Sequence, residues 1–176
     1  MRKMIVCIIL IATLTFVACH KKDPQTMSMP SDFAISFSYG MNDNRLNFLD
    51  TYKGIIQKDL ISDGIATVDY VVPKDDLKEI YAQICEFKIN KITKSMTSEN
   101  LAFMNSGIRI IPCTKYYIAF TAEGVEYNIT GDETATSYIN KNKEAKNFCT
   151  FISYMLDYIS STEEYKSLPK ANGAYE

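Results

Sequence analysis

Phe33, Ile35, Phe37 and Tyr39 alternate with Ala34, Ser36 and Ser38, so large apolar side chains fall on one side of an extended segment and small ones on the other. This is the pattern of a strand with one buried face. Residues 40–44 are turn-rich, and an extended stretch then runs through Phe48, Tyr52 and Ile56 to about Leu60. Ser62-Asp63-Gly64 turns the chain again, and residues 65–72 read as a third strand. The period then changes. Leu77, Ile80, Tyr81 and Ile84 share one face of a helix predicted over 77–84, with Asp75 and Asp76 at the end where the helix dipole favours negative charge.

Residues 94–107 carry no clear period, apart from a short helix after Ser98 that brings Leu101, Phe103 and Met104 close together. Residues 116–121 and 125–130 form a predicted hairpin around Glu123-Gly124. The clearest element follows: Ala145, Phe148, Cys149, Ile152, Met155, Leu156 and Ile159 recur at helical spacing on one side. A final turn over 162–168 ends at Pro169. Opposite the apolar strand faces stand Ser36, Ser38, Thr67, Asp69, Glu126, Asn128 and Thr130. A sheet with one apolar and one small-polar face is expected to be antiparallel, covered on one side and wet on the other. The prediction is an α+β two-layer sandwich, a mainly antiparallel sheet with two amphipathic helices on one face, as a single domain over 32–176.

The first residues change the picture. Arg2 and Lys3 precede an uncharged run from Met4 to Ala18, the shape of a secretory signal. It is short for a comfortable membrane span, which takes about 20 apolar residues. Phe16-Val17-Ala18-Cys19 resembles the bacterial lipobox, with Phe16 where Leu is usual. The alternatives are an ordinary cut after Ala18 and an uncleaved anchor. The expectation is a signal peptide over 1–18, lipid on Cys19, and a lipidated tether over 19–31. Twelve residues from His20 to Ser31 reach at most ~40 Å when extended, enough to lift a small domain off the headgroups. Without residues 1–18 the chain has 158 residues, and 17 basic face 21 acidic ones, a formal charge of −4. No basic run follows the tether, which argues against a nucleic-acid partner.

Several short motifs carry a resemblance. Leu49-Asp50-Thr51, Lys58-Asp59-Leu60, Leu77-Lys78-Glu79-Ile80-Tyr81, and the ending from Glu163-Glu164-Tyr165-Lys166-Ser167-Leu168-Pro169 to Gly173-Ala174-Tyr175 are similar to a family of small uncharacterised bacterial lipoproteins. The resemblance implies strands then helix, repeated as hairpin then helix. It implies no catalytic residues.

Little in the domain suggests bond-making chemistry. His20, the only histidine, sits in the tether, so no Ser-His, Cys-His or His-metal arrangement is available to the domain. Cys85, Cys113 and Cys149 are far apart with no Cys-x-x-Cys spacing, which favours buried thiols over a metal site or a bridge. Ser167 and Lys170 have Ser-x-x-Lys spacing, but Pro169 blocks the helical turn between them. Asn42-Asp43-Asn44 reads as a hairpin turn, and no phosphate-binding glycine loop is present. No cofactor is expected. Asp50, Asp59, Asp63 and Asp69 lie on turns and extended segments, where solvated carboxylates are commoner than an acid–base pair. Tyr116, Tyr117 and Tyr127 suggest an aromatic platform, against which stands the ordinary role of strand tyrosines at the core margin.

The expected function is therefore that of a non-catalytic, membrane-anchored surface lipoprotein binding an envelope protein, a glycan or a small ligand. The alternative is a hydrolase acting on an envelope polymer through carboxylates. Leu101, Phe103 and Met104 are candidate docking residues, because binding functions concentrate on long irregular loops; the competing reading folds them inward as a core plug. Protein extracted from membranes should show acyl mass on an N-terminal Cys19 by intact mass analysis. A Cys19→Ser variant should leave the detergent phase, and its unchanged recovery with membranes would refute the anchor.

Overall fold

The alternation over 33–39 becomes the central strand of the domain in a computed structural model, which describes residues 28–101 and 113–175. The strands are β1 (Ala34–Met41), β2 (Asn47–Asp50), β3 (Ile55–Asp59), β4 (Ile65–Asp69), β5 (Thr114–Ala122) and β6 (Val125–Asp132). They form one antiparallel sheet in the order β4-β3-β2-β1-β5-β6. The first four meander outward from β1; after a helical excursion the chain returns to lay β5 along β1's other side. The helices are α1 (Lys74–Glu86), α2 (Ser98–Leu101), α3 (Lys143–Ser161) and α4 (Glu163–Ser167). With α1 and α3 packed on one face of the sheet, the fold is the α+β two-layer sandwich.

Register explains why one face is dry. Val68, Ile56, Leu49, Phe37, Ile118 and Ile129 stand side by side across all six strands. All are buried except Val68, half-buried on the edge strand. One residue along, the opposite face carries Thr67, Gln57, Phe48, Ser38, Tyr117 and Thr130. A slip of one residue at any pairing would exchange these rows, at a cost of about 1.5–3 kcal/mol for each large apolar side chain brought into water.

The helices seal the apolar row. α3 buries Phe148, Phe151, Ile152, Met155 and Ile159, and Asn142 caps its start by accepting from the Ala145 N–H at 3.0 Å. α1 buries Ile80 and Ile84. It begins at Lys74, three residues before the predicted start, because its first turn is polar and shows no apolar period. Phe33 meets Tyr81 of α1 edge-on at 5.0 Å between ring centroids. A chain of hydroxyls joins the layers: Tyr158 of α3 donates to Asp76 of α1 at 3.0 Å and lies 2.8 Å from the Tyr70 hydroxyl.

The predicted extended stretch over 48–60 is in fact two strands and a tight turn. Asp50 Oδ1 accepts from the N–H groups of Tyr52 (2.9 Å) and Lys53 (3.1 Å), and Gly54 N–H donates to the Asp50 carbonyl at 2.9 Å. Gly54 has φ +68°, a conformation that suits glycine. Tyr52 thus projects from the turn, its hydroxyl donating to the Ala34 carbonyl at 3.1 Å. The final turn over 162–168 contains α4, capped by Thr162. Beyond it Asn172 exchanges backbone bonds with Leu60 (3.1 Å) and Ser62 (3.0 Å), and the Tyr175 hydroxyl donates to Asp59.

The irregular segment also gains a partner. Met96 lies along the outer edge of β6, its N–H donating to the Thr130 carbonyl at 2.8 Å and its carbonyl accepting from Asp132 at 3.1 Å. Leu101 is only 5% exposed and belongs to the core, so it is withdrawn as a docking residue. Its apolar side chain is worth more against the core than in water. Phe103 and Met104, like Cys19, lie outside the described residues.

Gly131 shows how tightly the layers meet. A β-carbon there would stand 2.6 Å from Phe148 Cζ and 2.8 Å from Met96 Cβ. Gly131→Ala should therefore destabilise the domain by about 1–3 kcal/mol through overpacking. Urea melts compared with the parent protein check this, and an unchanged midpoint would mean that the contact is slack.

Candidate functional site

The wet face is flattened by small side chains where β1, β5 and β6 adjoin. Ser36 and Ser38 on β1, Ala119 on β5, and Asn128 and Thr130 on β6 lie in two adjacent rows on that face. They line an open depression of about 210 Å³, rimmed by Tyr117 and Arg45. Arg45 comes from the β1–β2 connection, which folds back over the sheet. Its guanidinium carbon lies 3.6 Å from the centroid of the Tyr117 ring, a cation–π contact. The same connection carries Asp43, whose Oδ1 accepts from Lys115 Nζ at 2.6 Å and from the Tyr117 hydroxyl at 3.2 Å. The hydrogen bond from Lys115, and then that from Tyr117, hold the Asp43 carboxyl below its ordinary value. Asn42, with φ +55°, donates its N–H to the Cys113 carbonyl at 2.9 Å and so seats the turn against β5.

The depression therefore presents hydroxyls, a carboxamide and an aromatic ring beside a guanidinium cation. Its lining contains no carboxylate, imidazole or thiol. Such a surface recognises hydrogen-bonding groups by direction and number, and Arg45 adds attraction for partial or full negative charge. Sequence reading placed Ser36, Ser38, Asn128 and Thr130 on this face but missed Arg45. The turn was legible over 40–44, one residue short of Arg45; the direction in which the connection folds depends on the seat at Cys113.

The proposed aromatic platform divides. Tyr116 and Tyr127 point to the helical side, where Tyr116 meets Phe148 edge-on at 6.4 Å and Tyr127 stacks on Phe120 at 4.5 Å. Tyr117, one residue along, is left on the wet side. The alternation of a strand already dictates this division.

Asp50, Asp59 and Asp69 do not converge. Asp50 and Asp69 share a row with Ile55 between them, about 10 Å apart at ~4.8 Å per strand. Asp59 lies four residues along β3 from Ile55, about 13 Å away at ~3.3 Å per residue. The buried members are occupied by structural bonds: Asp50 in its turn, Asp59 with the Ile61 N–H (2.8 Å) and the Tyr175 hydroxyl, and Asp132 with the Thr134 N–H (2.9 Å). Among the described residues no three of His, Cys, Asp and Glu are grouped to hold a metal ion. Ser167 donates to the Glu164 carbonyl at 2.6 Å, within α4.

Cys85 on α1 and Cys149 on α3 are half-buried free thiols, and Cys113 is buried at the head of β5. Among the described residues no helix is long and apolar enough to cross a membrane. The chain matches no protein-family model, no curated protein and no solved structure. Fold and site together define a class, a two-layer α+β domain with one open, hydrogen-bonding sheet face.

Burial pushes the Cys149 thiol up, leaving less thiolate at a given pH. Its alkylation should be slower in the folded protein than in denaturant, with a half-maximal pH above the ordinary thiol value of about 8.5. Peptide mass mapping of a timed labelling series reads this, and equal rates in both states would refute it.

Proposed function

We propose that this chain is a membrane-anchored bacterial surface lipoprotein whose domain binds an envelope protein segment or glycan without transforming it, through the open face of its sheet. The observation that carries the reading is the depression of small polar side chains under the Arg45–Tyr117 pair. A wet sheet face can remain merely solvated. Here an exposed cation is laid over one end of a floor of short side chains, which leaves room for a ligand's own hydroxyl or amide groups. The charged start, apolar run and lipobox-like Cys19 support the anchor, and a tether reaching up to ~40 Å would hold the domain near envelope polymers. The structural bonds of Asp50 and Asp59 weigh against the carboxylate hydrolase, because a carboxylate committed to backbone donors is poorly placed to exchange protons with a substrate.

A photo-crosslinking side chain at Asn128, on the wet face, should capture a discrete adduct in intact membranes, whereas one at exposed Glu79 on α1 should not. Arg45→Glu should reduce capture about tenfold or more, the loss typical of a central contact, while the melting temperature holds. Equal capture from both positions would refute the assignment to this face.

A further inference from the structure

The two edges of the sheet are treated differently. Met96 lies along β6, whereas among the described residues nothing pairs with the outer side of β4. The bonds to β3 fix which groups face outward there. Leu60 N–H donates to the Gly64 carbonyl at 2.8 Å and Tyr70 N–H to the Gly54 carbonyl at 2.7 Å. In the same register Ala66 faces Lys58 and Val68 faces Ile56, so the even-numbered residues bond inward. Ladder bonds alternate along an antiparallel strand. The N–H and C=O groups of Ile65, Thr67 and Asp69 therefore point away from the sheet. Proteins ordinarily blunt such an edge with lysine, proline, a bulge or a covering segment. Residues 65–72, Ile-Ala-Thr-Val-Asp-Tyr-Val-Val, contain neither lysine nor proline, and a single charge, Asp69. The strand predicted over 65–72 ends at Asp69, and two exposed apolar side chains flank it, Ile65 at its start (53%) and Val71 two residues past its end (84%).

We propose that this edge pairs with the β4 edge of a second copy of the chain, antiparallel and centred on Val68, joining two sheets into one. The edge is self-complementary. Centring on Val68 sets Ile65 against Val71 of the other copy and Thr67 against Asp69, with each pairing repeated by the two-fold axis. The exposed apolar side chains then cover one another, and the Thr67 hydroxyl can donate to the Asp69 carboxylate. Thr67 and Asp69 both have outward backbone groups, so the ladder bonds between them form without change in either domain. Centring on Thr67 instead would set Ile65 against Asp69, losing the apolar match. The depression on the wet face lies beyond β2, on β1, β5 and β6, and stays open in the pair.

In this register Val68 faces its own copy across a non-hydrogen-bonded pair, where α-carbons stand about 4.5 Å apart, within disulfide range. Full-length Val68→Cys, expressed in its membrane and given a brief diamide pulse, should form a reducible dimer. Adding Thr67→Pro removes an N–H that makes no bond in the single domain, and adding Ile65→Lys places a charge against Val71. Each should cut the linked fraction about tenfold, as loss of a central contact does, with the melting temperature held. Glu126→Cys on the opposite edge is the collision control. The proposal is overturned if folded Val68→Cys stays monomeric, links no better than Glu126→Cys, links equally with Thr67→Pro, or links instead to a different protein. If Val68→Cys itself lowers the melting temperature, light scattering of the detergent-extracted parent chain decides: two copies per micelle support the pairing and one overturns it.

Discussion

Side chains on an extended chain alternate between two sides, and the burial of Phe37 settles that alternation for the whole sheet. β1 is bonded on both flanks, to β2 and to β5, so the register outward in each direction is counted from it. With Phe37 inward, Leu49, Ile56 and Val68 follow on one flank, and Ile118 and Ile129 on the other. The polar face then comes without further choice: Ser36, Ser38, Asn128 and Thr130 are outward because their neighbours are inward. The same count decides which backbone groups of β4 face the solvent.

Polar groups make the connections that the apolar row cannot. Asp50 shapes the β2–β3 turn, Asp132 holds the turn after β6, and Asp59 ties the C-terminal segment to the end of β3. Each carboxylate gives up hydration and regains hydrogen bonds at a fixed place, which determines a chain path that apolar packing alone leaves loose. The Tyr70–Tyr158–Asp76 chain does the same between layers. Burial and then the neighbouring Tyr70 hydroxyl raise the Tyr158 hydroxyl well above its ordinary value, so it stays a neutral donor. Acidic residues that look available for chemistry in the linear chain are therefore parts of the frame.

A frame dry on one side leaves two surfaces with recognition chemistry, the face and the edge. The face offers side-chain donors and acceptors over short side chains, with Arg45 supplying charge at one end. The edge offers backbone donors and acceptors flanked by Ile65 and Val71. These surfaces do not overlap, so occupation of one leaves the other accessible. The two proposed interactions, one at the face and one at the edge, would thus be separable properties of one sheet.

The strand over 33–39, the hairpin around Glu123-Gly124 and the long helix centred on Ile152 were legible in the sequence, because each rests on a local period of two or 3.6 residues. The division of Tyr116 from Tyr117 was legible in the same way. The break between β2 and β3 was harder to see. Phe48, Tyr52 and Ile56 keep an apolar rhythm through it, and only Asp50 with Gly54 marks the turn. Arg45 carried no signal, since its place over Tyr117 depends on β1 lying beside β5, strands in which Ser38 meets Tyr117 across 79 positions of chain. Leu101 was a docking candidate against a favoured reading that folds it inward, and α2 does carry it inward. Alternation and helical period are properties of neighbours, so the sequence by itself determined the regular elements and their apolar faces, though not the break between β2 and β3. Strand order, the edge at β6 covered by Met96 and the place of β4 at the other end of the sheet are properties of pairings between distant residues, and only the tertiary structure decided those.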